Sequence, residues 1–333
     1  MKDFVNYWLR LMVKACLHLY FKKIKIDGKE NIPKNRPVIL VANHQNALID
    51  PLLLATHTRL NPFFLTRASV FKSPIAAKLL DFIRMLPVYR VRDGFSTIQQ
   101  NQLIFDKTYE ILKKNGTVII FAEGSHSLVR NLRQLSKGFT RMAFGLKEKY
   151  PDSEPLILPV GINYSAHRRS GSRVHMIFGT PIEVNMPNSQ SGKLTKAVEK
   201  ALHQLVVEIP DEGYEENLQR LLEAGVDINN KEAVNVFLET GKVENPIPEF
   251  SGLKNKLMKI FHFPLYWVWL WRSPKIKDKV FDSTIKFLIG FTLGPLYYFI
   301  LFLLALSTSL GSWALAFLIM AGISLWANKN PQE

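Results

Sequence analysis

The chain has 333 residues, enough for one large domain or two modest ones. A formal charge of +15 points to an anionic partner, and a hydrophobic fraction of 47% with mean hydropathy +0.02 is high for a wholly soluble enzyme. The single cysteine, Cys16, excludes an internal disulfide framework and a cysteine-rich zinc site.

The amino terminus lacks the basic start, apolar run and small-residue cleavage site of a removable signal. Instead Asp3, Asn6, Arg10, Lys14 and His18 recur at helical spacing through an otherwise apolar segment. Residues 1–22 therefore read as an amphipathic helix with a thin polar stripe. Such a helix either lies in a membrane interface or packs on a core, and the carboxyl terminus favours the interface.

Short apolar runs alternating with amphipathic helices follow. PVILVA (Pro37–Ala42), PFFLT (Pro62–Thr66), TVIIFA (Thr117–Ala122), LILPVG (Leu156–Gly161) and VHMIF (Val174–Phe178) read as strands. Residues 97–114 and 137–150 read as helices between them. This alternation predicts an α/β domain over residues 23–190, with a mixed, largely buried β-sheet flanked by helices. Residues 191–256 read as a helical cap or connector, with an amphipathic helix from Leu194 to Val206 and at most two short helices in the acidic stretch 208–250.

Residues 257–333 read as membrane-associated. Ile260–Trp271 is short and tryptophan-rich, which suits the headgroup boundary. Phe287–Leu306 is an uncharged run of spanning length, and residues 310–326 form a second at the lower limit. With only Ser307–Ser309 between them, they read as a transmembrane helical hairpin, or as one buried hydrophobic hairpin of a soluble protein. Lys275, Lys277, Lys279 and Lys286 precede the hairpin and Lys329 follows it, so both ends are expected on the cytoplasmic side.

Four stretches carry candidate chemistry. In NHQNALID, His44 follows the PVILVA strand and Asp50 precedes Pro51. Asp50 reads as the cap of a helix starting at Pro51. A continuous helix would set residues at this spacing about 240° apart, so pairing His44 with Asp50 needs a loop that folds back. Paired, Asp50 accepts the Nδ1 proton and leaves Nε2 free to deprotonate a hydroxyl. The plainer reading is a helix cap beside a hydrogen-bonded loop histidine. In FAEGSHS, Glu123 and Gly124 end another strand, where open α/β sheets bind ligands, and Glu123 either holds a polar substrate group, positions a cation or is a solvated turn acid. In LPVYRVRDG, Arg90 and Arg92 share one side of an extended segment and suit phosphate, or form a solvated edge. In ILPVGIN, Pro159 and Gly161 within a buried run suggest close backbone approach. The other histidines show no zinc-ligand spacing.

Taken in order, the His-Asp block, LPVYR, FAEGS and LPVGI resemble the glycerolipid acyltransferases that act on glycerol 3-phosphate, lysophosphatidate and related lysophospholipids. The resemblance implies a general base at His44, its orienting acid at Asp50, and a phosphate-binding Arg90. It implies acceptor contacts from Glu123, Gly124 and Ser125, a basic turn at Lys137-Gly138, and a donor side built by Pro159, Val160 and Gly161. It implies acyl-CoA or acyl carrier protein as co-substrate, with no resident cofactor or metal, and membrane lipids rather than nucleic acid as the basic surface's partner. The expected place is the inner cell membrane, with the site at its cytoplasmic face. Three departures stand out. Residues 45–49 make the His-to-Asp interval one residue longer than usual, as in one branch of the family; Ala122 replaces the usual proline; and Ser125-His126 replaces Thr-Arg. The missing arginine leaves Arg130, Arg133 or Lys137 as substitutes and keeps open an acceptor without phosphate, such as a monoacylated amino-acid lipid. A covalent route through Ser125 and a non-catalytic lipid-binding protein are the remaining alternatives.

Overall fold

The computed structural model describes residues 2–89, 97–243, 245–247, 252–306 and 311–327. Eight strands form one sheet: β1 (Lys23–Asp27), β2 (Val38–Ala42), β3 (Phe63–Arg67), β4 (Met85–Val88), β5 (Thr117–Phe121), β6 (Leu156–Tyr164), β7 (Arg173–Phe178) and β8 (Ile182–Glu183). Their order is β1-β7-β6-β2-β5-β3-β4, with β8 also on β6. The stretch β6-β2-β5-β3-β4 is parallel throughout, and β7 and β8 run antiparallel to β6. The sheet is therefore mixed, as the alternation of strands and helices predicts.

β2 shows why the sheet is covered on both sides. All five of its residues are buried. Side chains alternate across a strand, so Val38, Leu40 and Ala42 enter one core and Ile39 and Val41 the other. The first core is roofed by α1 (Lys2–Tyr20) and α2 (Ile49–His57), through Val13, Leu17, Leu53 and Leu54. The second is roofed by α4 (Thr97–Lys113), α5 (Gly138–Lys149) and α6 (Ser191–Leu205), through Leu112, Met142, Val198 and Leu202. Because α6 is part of this core, the α/β layer runs on past residue 190 rather than ending there. A short α3 (Pro74–Phe82) leads into β4. The acidic stretch holds two short helices, α7 (Tyr214–Glu223) and α8 (Lys231–Thr240), over their own small core around Leu221, Ile228 and Val234.

The Ile260–Trp271 stretch is not one segment. The chain breaks at His262, between α9 (Gly252–Phe261) and α10 (Phe263–Arg272), where Pro264 occupies the first turn of the second helix. Then come α11 (Asp282–Leu306) and α12 (Gly311–Ala327), which pack on each other, with α12 also against α9. Among the described residues one helix, Lys279–Leu306, is long and apolar enough to cross a membrane. The expected turn Ser307–Ser309 lies outside the described residues. α1 is two-faced. Asn6, Val13 and Leu17 are buried against the body, and Phe4, Tyr7, Trp8, Leu11 and Met12 are exposed.

β1 and β8 carry no strand signal in the sequence, whereas β4 overlaps the LPVYRVRDG stretch that reads as extended. β1 (KIKID) alternates lysines with isoleucines and sits at the sheet edge, and β4 is a four-residue strand. β1 lacks the continuous apolar run that marks a central parallel strand, and the run of β4, MLPV, is only four residues long.

Candidate active site

The carboxyl ends of β2 and β5 build the site. Past Ala42, Asn43 binds β6 twice: its Nδ2 donates to the Ile162 carbonyl at 3.0 Å, and its Oδ1 accepts from the Ile162 amide at 2.8 Å. This side-chain clamp fixes the point at which His44 leaves the sheet.

The loop after His44 folds back as pairing requires, and Asp50 is the reason. Its Oδ2 accepts from His44 Nδ1 at 2.8 Å, the Gln45 amide at 2.9 Å and the Asn46 amide at 2.7 Å. Its Oδ1 accepts the Tyr164 hydroxyl. The side chain has no solvent exposure. Asp50 is thus not the helix cap predicted from Pro51. α2 begins at Ile49 with Leu48 in the cap position, and the carboxylate serves the loop in front of the helix. A buried carboxylate needs such donors, because burial without them is costly. A carboxylate only accepts, so Nδ1 of His44 carries the proton and Nε2 presents its lone pair. Nε2 has no hydrogen-bond partner among the described residues, and the ring, 15% exposed, stacks on Phe121 at 4.1 Å between centroids.

Glu123 enters from the end of β5. Its Oε1 accepts the His44 backbone amide at 2.8 Å, and its Oε2 accepts Arg133 Nε at 2.8 Å. Burial pushes the Glu123 carboxyl up, while the His44 amide and the Arg133 charge pull it down. Arg133 also donates to Ser125 Oγ at 2.7 Å and to the Ser125 carbonyl. Glu123, Ser125 and Arg133 therefore form one braced unit behind the histidine. The Ser125 hydroxyl faces a guanidinium rather than a base, which is unlike an activated nucleophile. Gly124 has φ +72°, and a Cβ there would meet open space, so its use is conformational.

His126 lies with its edge toward the His44 ring, 5.6 Å between centroids, and its Nε2 is 3.0 Å from Asp278 Oδ2, in the segment before α11. The amino end of α11 reaches the same loop. Thr284 Oγ1 accepts the Leu48 amide at 3.2 Å, Ser283 Oγ donates to the His167 carbonyl at 2.5 Å, and Asn46 Nδ2 donates to that same carbonyl at 2.9 Å. The apolar helix is thus tied directly to the loop that carries the dyad.

Lys137 precedes α5 and is exposed beside the β5 end, where the Ser136 amide binds the Ala122 carbonyl at 2.7 Å. Pro159 and Gly161 are buried in β6, and a Cβ on Gly161 would lie 2.5 Å from the Leu205 carbonyl oxygen. The close approach predicted for that glycine is to the end of α6. Arg90 and Arg92 lie outside the described residues. Sequence reasoning missed Tyr164, whose phenol burial and the Asp50 charge hold well above its ordinary pKa and keep it a donor. It also missed the role of Arg133 and the Asp278 contact, because all three depend on long-range folding.

Residues 23–163 match the family model described as Acyltransferase. Glycerol-3-phosphate O-acyltransferase 1 of Saccharomyces cerevisiae is 23% identical over 251 residues, covering 50% of this chain and 33% of that protein. The chloroplastic 1-acyl-sn-glycerol-3-phosphate acyltransferase of Arabidopsis thaliana is 30% identical over 126 residues, covering 37% and 33% respectively. The 1-acyl-sn-glycerol-3-phosphate acyltransferase of Borreliella burgdorferi is 29% identical over 136 residues, covering 40% and 52%. The match thus spans between a third and about half of these relatives' lengths. The crystal structure of the 1-acyl-sn-glycerophosphate (LPA) acyltransferase of Thermotoga maritima aligns with TM-score 0.45 at 23% identity, over 65% of this chain and 81% of that one. Residues 23–163, which carry the dyad and its braces, are thus similar to the acyltransferase family.

Proposed function

We propose that this protein is an integral membrane O-acyltransferase of phospholipid biosynthesis. It moves a fatty acyl group from an acyl thioester, acyl-CoA or acyl carrier protein, to the hydroxyl of 1-acylglycerol 3-phosphate or glycerol 3-phosphate. The observation that carries this reading is the buried Asp50 carboxylate holding His44 Nδ1 at 2.8 Å, with Nε2 unengaged among the described residues.

His44 Nε2 takes the acceptor's hydroxyl proton as that oxygen attacks the thioester carbonyl. The carbon–oxygen bond forms, the carbon–sulfur bond breaks, and the imidazolium returns its proton to the leaving thiolate. A positioned base of this kind contributes about 10²- to 10⁴-fold. Arg90 takes the acceptor phosphate, with Lys137, beside the end of β5, as a second cation. Pro159 and Gly161, being buried, shape the donor side through the strand rather than by contact. The Lys279–Leu306 helix, paired with α12 as a hairpin, anchors the chain in the inner membrane. α1 lies in the interface, and the dyad faces the cytoplasm. Incubating the purified protein with each donor and acceptor tests the reading: acyl transfer abolished by His44→Ala supports it, and no transfer to any lysolipid or glycerol phosphate ends it.

A second acceptor class is favoured by one observation. His126 is already paired with Asp278, and Arg133 is spent on Glu123 and Ser125. A monoacylated amino-acid lipid, which brings no phosphate, belongs in the same acceptor panel for that reason.

A further inference from the structure

A cavity of about 1210 Å³ lies away from the dyad. It opens at the other edge of the sheet, beside the strand starts marked by Thr117 and Phe63, and under the ends of α1 and α2. The length of β2, roughly 17 Å at about 3.3 Å per residue, separates it from His44.

Its walls are basic. Lys14, Lys29, Lys34, Arg59 and Lys114 line it, all exposed, and none makes an ion pair or side-chain hydrogen bond among the described residues. The other two cations on the wall are spoken for: Arg84 pairs with Asp3 at 2.6 Å and Lys107 with Asp81 at 3.4 Å. Two carboxylates also line it. Glu110 accepts the Tyr150 hydroxyl and keeps its charge, so Glu30 and Glu110 together leave the five cations in excess. Like charges gathered in a concave surface repel one another, and a bound anion relieves that repulsion.

The geometry also indicates which anion. α1 sends Lys14 into the cavity, while Phe4, Trp8, Leu11 and Met12 of the same helix face outward and exposed. The helix cannot rotate away from this arrangement. Arg10 ties it to the cavity wall, donating to the Leu60 carbonyl at 2.8 Å and to Asn61 Oδ1 at 3.1 Å. An apolar surface fit for acyl chains thus borders a cationic hollow fit for phosphate.

We propose that this cavity binds the phosphate headgroup of an anionic phospholipid, as a lipid site separate from the one that turns over substrate. It rests on the reading of α1 as an interface helix, and it would fix the height and tilt of the catalytic domain on the bilayer.

The test uses the full-length protein in mixed micelles containing phosphatidylglycerol and phosphatidylcholine in equal amounts, with bound lipid counted by native mass spectrometry. The groove variant is Lys29→Ser with Lys34→Ser and Arg59→Ser. The control is Lys193→Ser with Lys196→Ser and Lys200→Ser, three exposed lysines on α6 that remove the same charge. Each cation near an anionic lipid surface is worth about fivefold, so the groove variant should bind phosphatidylglycerol roughly 100-fold more weakly, with phosphatidylcholine binding unchanged. The control should stay within about twofold of wild type. Lys34→Ser alone should cost about fivefold, which covers any folding defect in the triple variant. Equal losses in groove and control variants would mean bulk charge alone and overturn the proposal. Full displacement of the lipid by millimolar inorganic phosphate would make this a free-phosphate site, and groove-dependent capture of acyl carrier protein without lipid preference would make it a protein site; either outcome also overturns it. Acyl transfer to a soluble acceptor, followed in the same samples, should persist in both triple variants. Its absence in wild type would sink the proposed reaction without touching the lipid result.

Discussion

Replacing Asp50 by asparagine separates charge from geometry at this site. Two backbone amides, from Gln45 and Asn46, point at Asp50 Oδ2 together with His44 Nδ1. An asparagine NH₂ group cannot face three donors, so the amide oxygen must take that position. The NH₂ then meets the Tyr164 hydroxyl, which can rotate to accept. His44 therefore keeps its tautomer and orientation in Asp50→Asn and loses only the negative charge that stabilises its protonated form. Two unit charges about 4 Å apart interact by about 4 kcal/mol at an effective dielectric of about 20. Since the proton is only partly transferred in the transition state, the expected fall in kcat is about 10²- to 10³-fold, with KM for the acceptor nearly unchanged. Asp50→Ala behaves differently. It leaves two buried amides and a buried phenol without an acceptor, at about 1–3 kcal/mol each, and should lower stability sharply. Thiol release from the acyl donor measures the first effect and thermal denaturation the second. An Asp50→Asn protein that folds normally and keeps more than a tenth of wild-type kcat would refute the charge argument.

Other consequences follow from the braces around the dyad. Arg133→Ala strips the nearly buried Glu123 carboxylate of its cation and should cost about 1–3 kcal/mol in denaturant unfolding along with a fall in kcat; Arg133→Lys should recover part of both, because the pairing is charge-based. Gly161→Ala drives a methyl group to 2.5 Å from the Leu205 carbonyl, so about 1–3 kcal/mol of destabilisation is expected, and an unaltered melting temperature would show that α6 yields easily. His57 is pushed down to about 4, first by burial, with His18, Lys14 and Lys29 adding to the effect and the Leu53 carbonyl opposing it. Below pH 6.5 the unfolded chain protonates this histidine while the folded one does not, so stability should fall as pH drops from about 6.5 toward 4. His57→Gln should flatten that part of the pH–stability curve, and an identical curve would show that other groups govern it.

Much of the architecture could be read from the chain alone. The buried strands β2, β5 and β6 have an apolar run on both faces, and Gly, Pro and Asn mark their ends, so local composition located them. The spacing of polar residues along α1 and the length of the Phe287–Leu306 run were equally local. His44 and Asp50 lie within one loop, close enough in sequence for their pairing to be foreseen, although the sequence suggested a helix cap where the structure has a carboxylate hub. What stayed hidden joins distant parts of the chain. Tyr164 reaches Asp50 because β6 runs beside β2, Arg133 reaches Glu123 across a loop, and Asp278 reaches His126 from 152 residues further along the chain. The basic cavity is likewise assembled from α1, the β1–β2 connection, the α2–β3 loop and α4. No local pattern encodes these contacts, because each partner taken singly is an ordinary polar residue. Only the sheet order, set by which apolar faces bury together, brings them within hydrogen-bond range.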